Sequence, residues 1–112
     1  MNKVMLIGHV GQDPETKTFD NGNQVVRFSL ATNESYKDQN GQRVEKTEWH
    51  NIKAFGKLSE VAQKFFTKGK HLFIEGKIQT RSWENQQGIK QYATEIIMEK
   101  FVFLDKKEDR PF

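Results

Sequence analysis

The sequence predicts an all-β domain: a five-stranded Greek-key barrel with one helix between the third and fourth strands. Three observations carry this reading. Strand-like runs alternate between Gly-, Asn- and Asp-rich turns, one stretch alone places its apolar residues at helical spacing, and 112 residues suit a single domain with one modest core.

The first strand covers residues 3–11 and ends in Gly8-His9-Val10-Gly11, where two glycines predict a bend or bulge. Asp13-Pro14 interrupts it and Thr16–Phe19 resumes it. Asp20-Asn21-Gly22-Asn23 is a hairpin turn, Asn-Gly being suited to positive φ. The second strand, Gln24–Thr32, sets Val26, Phe28 and Leu30 on one face and Arg27 and Ser29 on the other. Residues 33–46 read as a polar connection with a second hairpin tip at Asn40-Gly41 and one conspicuous ring, Tyr36.

The third strand is centred on Trp49. After it, Leu58, Val61, Ala62 and Phe65 follow the i, i+3, i+4, i+7 spacing of a core-packing helix, and Gly69 offers its stop. The fourth strand runs from about His71 to Trp83, a turn-prone loop spans 84–88, and the fifth strand runs from about Lys90 to Leu104. This order is that of an OB-fold, a partly open barrel that binds oligonucleotides across its sheet and loops.

Two strands have an unusual second face. The two-residue period groups Trp49, Asn51, Lys53 and Phe55 opposite Ile52 and Ala54. It groups Phe73, Lys77, Arg81 and Trp83 opposite Ile74 and Ile78, with the acidic Glu75 also on the polar side. A tryptophan is by default a core residue, but a core has no use for Lys53 or Arg81 beside its indole. Stacking on nucleobases, with cations following the phosphates, accounts for both residue types.

Composition bounds the rest. A hydrophobic content of 35% is low, so subunit association is expected to complete the core. The chain has no cysteine and three scattered histidines, which excludes disulfides and zinc-ligand spacing; no metal or cofactor is expected. The apolar run Val4–Gly8 is too short for a signal segment or a membrane span, so a cytoplasmic protein without membrane contact is expected. A formal charge of +3 permits nucleic-acid binding without demanding it.

Several ordered segments, Asn2-Lys3-Val4, Gly11-Gln12-Asp13-Pro14-Glu15, Thr47-Glu48-Trp49-His50, Phe55-Gly56-Lys57-Leu58 and Ile74-Glu75-Gly76, resemble the bacterial single-stranded DNA-binding proteins over residues 1–104. The resemblance implies a homotetramer of OB domains, associated with the nucleoid, that wraps and protects single-stranded DNA without sequence specificity during replication, recombination and repair, and catalyses no reaction. It implies base stacking by Trp49, Phe55 and Trp83, with Tyr36 standing where a tryptophan is common. It implies backbone contacts from Lys57, Lys68 and Arg81, to which the strand faces add Lys53 and Lys77, and the head of the first strand Lys3. Asn51 and Gln79 stand where the family often has arginine, which predicts a shallower salt dependence. His50 faces away from Trp49, and the resemblance implies a subunit contact for it.

The expected domain is 1–104, followed by a short tail, 105–112. Its final Pro111-Phe112 resembles the acidic tip through which the family docks replication and repair enzymes, but Lys106, Lys107 and Arg110 dilute the charge. Three competing functions are distinguishable. An OB-fold nuclease needs clustered carboxylates for a metal, and Asp13-Pro14-Glu15, the nearest cluster, reads as a turn. A primosomal accessory OB protein, dimeric and acting mainly through protein contacts, suits the size and short tail but not the full set of aromatic positions. RNA binding remains open because stacking surfaces tolerate either sugar.

Overall fold

The computed structural model describes residues 1–105; the tail positions Pro111 and Phe112 lie outside the described residues. Six strand segments and one helix follow in order: β1 (Val4–Val10), β2 (Glu15–Thr18), β3 (Gln24–Lys37), β4 (Arg43–Phe55), α1 (Lys57–Phe65), β5 (His71–Glu84) and β6 (Lys90–Phe103). The sheet order is β1-β5-β6-β4-β3-β2, and a further β1–β3 pairing closes it. β1 and β2 lie end to end along β3, β1 through His9 and Val10 and β2 through Thr18 to Glu15. They therefore form the single interrupted first strand that the sequence predicts, and the barrel is five-stranded. Closure depends on one parallel contact, Ile52 against Ile96 and Lys53 against Ile97 between β4 and β6.

The alternation of β3 and β4 accounts for the core. Val26, Leu30 and Ala54 are fully buried, as are Ile52 from β4 and Leu72 and Ile74 from β5. Two β6 residues, Ile96 and Met98, join them from the same strand face. Phe66, the residue after α1, is the centre of this interior, with its ring edge-on to Phe28, Phe101 and Phe103 at 5.3, 5.0 and 5.8 Å between centroids. Edge-to-face contacts of this kind add to the burial of each ring.

Four expectations need correction. The stretch 33–46 is mostly strand: pairing of β3 with β4 continues without a break from Thr32–Glu48 to Lys37–Arg43 around the expected tip, where Gly41 has φ 79°. Ile78 is exposed rather than apolar-facing, because β1 stops pairing with β5 at Gly76 and the ribbon beyond has no layer behind it. There the Asn2 side chain substitutes for a neighbouring strand, donating to the Ile78 carbonyl and accepting from its N–H.

The other two concern glycines. α1 ends at Phe65, not at Gly69; Phe66 N–H still reaches the Ala62 carbonyl, and Gly69, at φ 91°, belongs to the turn that follows. Gly8 makes no bend. A Cβ there would lie 2.2 Å from the Ala31 carbonyl oxygen, so glycine is required where β1 crosses close to β3. The helix begins abruptly because Gly56, at φ 61° and ψ −132°, turns β4 straight into it, a conformation open only to glycine.

Candidate nucleic-acid interface

The outward row of β4 carries Trp49, Asn51, Lys53 and Phe55. Trp49 is 60% and Phe55 48% exposed, unusual for rings whose strand neighbours Ile52 and Ala54 are buried. The indole of Trp49 lies across Gly11, where a Cβ would come within 2.4 Å of its Cζ3 atom. Glycine is thus the residue that gives the ring its seat. Gly11→Ala is expected to displace the indole and weaken oligonucleotide binding by an amount comparable to one stacked base, about 1–3 kcal/mol; a shift in tryptophan emission together with a titration checks it.

On β5, the Arg81 guanidinium lies over the Trp83 ring at 4.5 Å, with Trp83 42% exposed. The same guanidinium donates from Nε to Glu95 on β6 at 2.8 Å. Glu95 is the residue that sequence reasoning missed. Its carboxylate also takes Lys53 Nζ at 3.2 Å and an Arg27 guanidinium nitrogen at 3.7 Å, and its side chain is only 8% exposed. The available signal was the alternation of β6, which puts Glu95 and Ile97 on the face opposite Ile96 and Met98. Arg27, Arg81 and Glu95 line a cleft of about 340 Å³ on the barrel's outer wall together with Ser29, Asn51 and the acidic Asp13 and Glu15.

Burial alone would raise the Glu95 carboxyl's pKa, but hydrogen bonds and charge from Lys53 and Arg81 outweigh it and hold the group below its usual value. A depressed native pKa contributes stability that is fully present above the unfolded value, about 4.3, and is lost as pH falls through the native one. Glu95→Gln is therefore expected to lower stability at neutral pH and to flatten the acid limb of a stability–pH curve below about pH 4. Urea denaturation at a series of pH values measures both.

The remaining predicted residues are dispersed. Tyr36 is 54% exposed on the projecting β3–β4 hairpin, where unbroken register puts it in the row of Thr32 and Val44, the alternate row to that of Trp49. Phe73 lies near the other end of β5 from Trp83, about 30 Å of strand away, half-buried between Ile7 and Val102. Lys57, Lys68 and Lys77 are exposed. Lys3 pairs with Glu75 at 3.4 Å on the β1 side of the barrel, so it does not join the cations around Glu95. His50 points to the opposite row, its Nε2 in hydrogen-bond contact with Thr32 Oγ1 at 2.9 Å. Asp13 accepts from the Lys68 backbone N–H at 2.9 Å, a structural use of the carboxylate, and among the described residues no group of three metal-ligating side chains occurs.

A closed barrel of this topology with exposed rings and cations on the β3–β4 side defines an OB-fold nucleic-acid-binding module. Comparison makes the assignment specific. Residues 1–104 match the model of the single-strand binding protein family, and the chain belongs to that family. It is 49% identical over 109 residues to single-stranded DNA-binding protein 1 of Chlorobaculum tepidum, covering 96% of this chain and 67% of that one. Its fold superposes on the SSB of Plasmodium falciparum solved with ssDNA at a TM-score of 0.86 and 36% identity, covering 94% and 96% of the two chains. It matches a deletion mutant of the single-stranded DNA binding protein of Thermus aquaticus at 0.83 and 26%, covering 96% and 52%.

Proposed function

We infer that this protein binds single-stranded DNA without regard to sequence and protects it during replication, recombination and repair, catalysing no reaction. The observation that carries the reading is the pair of exposed tryptophans, one beside Arg81 and one two residues from Asn51 and four from Lys53, on the outside of a closed barrel. Bases stack on Trp49, Phe55 and Trp83, and on Tyr36 where the strand passes the β3–β4 hairpin. Phosphates follow Lys53, Lys57, Lys68, Lys77 and Arg81. Lys3, tied to Glu75, takes a lesser part.

The functional unit is a homotetramer of residues 1–104, supported by two features. Met5, Ile7 and Val102 are 63, 58 and 51% exposed, and Ile7, Phe73 and Val102 form one apolar row across β1, β5 and β6. His50 lines a cleft beside this stripe with Met5 and Ile7, in keeping with a subunit contact. Pro111-Phe112 docks replication and repair proteins, and the protein works at the nucleoid in the cytoplasm; no helix among the described residues is long and apolar enough to cross a membrane.

Competition of a labelled oligo(dT) by unlabelled single-stranded DNA, duplex DNA and matched RNA, with mass in solution measured by light scattering, tests the reading. Displacement by single-stranded DNA alone, from a tetramer, is expected. A dimer with weak DNA affinity is the signature of the primosomal accessory alternative, and preferential displacement by RNA refutes the assignment to DNA.

A further inference from the structure

We propose that Glu95 is a positioning residue of the DNA face: its carboxylate holds Arg27 and Arg81 in the wall of the cleft and Lys53 behind them, cancels one of their three charges, and thereby sets the salt dependence of binding. This rests on the single-stranded DNA reading above.

The hydrophobic core does not use this carboxylate. Glu95 sits on the β6 face opposite the core residues Ile96 and Met98, in a place where an apolar side chain would avoid the cost of burying a charge. Instead it gathers one cation from each of three other strands, Arg27 from β3, Lys53 from β4 and Arg81 from β5. All three converge on the Glu95 carboxylate, and Arg27 and Arg81 line the cleft described above and remain nearly half exposed there. A carboxylate and a phosphate offer guanidinium the same paired oxygen acceptors, so Glu95 occupies in the free protein a position of the kind that a backbone phosphate takes in a complex. It also fixes the Arg81 plane: with Nε bonded to Glu95, the guanidinium lies over Trp83 and its terminal nitrogens are left for DNA.

The charge consequence is measurable. Cations already balanced by a carboxylate release fewer counterions when DNA arrives, and for single strands each neutralised phosphate contributes about 0.7 to the slope of log K against log salt. Oligo(dT) affinity of the wild type and of Glu95→Gln, each checked for folding by circular dichroism, is measured over a salt series. The variant is expected to steepen the slope by about 0.7 and, in a Trp49→Phe background, to shift the emission of Trp83 before any DNA is added. A folded variant with the wild-type slope overturns the proposal.

If Glu95→Gln does not fold, the charge-balanced double variant with Arg27→Gln carries the test. The wild-type slope is then expected, whereas a slope shallower by about 0.7 overturns the proposal. Failure of the wild type itself to bind counts instead against the DNA reading on which this rests.

Discussion

Trp49→Ala is expected to weaken oligo(dT) binding by about 1–3 kcal/mol, roughly 5- to 150-fold, with little change in folding stability. The indole is 60% exposed and its strand neighbours, not the ring, fill the core, and substitutions away from the core are usually within about 0.5 kcal/mol. Trp83→Ala is expected to cost a similar amount and to release Arg81 from its stacked position. The double variant removes both bases' platforms, and because phosphate contacts remain it should retain weak, strongly salt-dependent binding. Titrations of the three variants at two salt concentrations, paired with urea denaturation, separate this outcome from a tryptophan that merely supports the fold. In that case stability falls and affinity of the folded fraction does not.

Phe66→Ala is expected to have the largest effect on stability, about 3–5 kcal/mol. Its ring is 0% exposed and meets three phenylalanines drawn from β3 and β6. Truncation leaves a cavity that strands locked into a closed barrel cannot collapse to fill. For a domain of this size the loss corresponds to more than about 10 °C in Tm, measurable by thermal denaturation at fixed protein concentration. Phe65→Ala, one residue earlier and only partly buried, should cost clearly less; equal losses would mean that Phe66 is not the centre of the packing.

The contrast between those two phenylalanines shows where sequence reasoning succeeds and where it stops. The helix is legible because Leu58, Val61, Ala62 and Phe65 share one stripe, but Phe66 lies just beyond α1, outside the periodic pattern, and its burial is decided by tertiary packing. The hairpin tips at Gly22 and Gly41 are legible because Asn-Gly favours the positive φ found at both. The strand segments 33–37 and 43–47 are not, since no period-two apolar signal runs through them. Their extended form is imposed by register carried on from Leu30 and His50.

In the interface, the exposed faces of Trp49 and Phe55 follow from alternation on β4, which pairs on both edges and keeps its pleat. Ile78 shows the limit of the same rule: alternation gives a residue's side of the strand, not whether anything packs there. Glu95 was missed for a related reason. A single acid in the apolar run Thr94–Met98 carries no motif, and its meaning lies in three cations that only the barrel's closure brings to it. Alternation likewise places Arg27 only on the polar side of β3, although it forms part of that cluster.

The central claim is that bases stack on the outer tryptophans. A tryptophan-fluorescence titration with oligo(dT), performed on the wild type and on the single-tryptophan variants Trp49→Phe and Trp83→Phe at low and high salt, tests it most directly. The expected result is quenching of both indoles, saturating with single-stranded DNA and unaffected by duplex competitor, with affinity falling as salt rises. Unquenched tryptophans in a folded protein that still binds DNA would contradict it, placing the strand on some other face of the barrel.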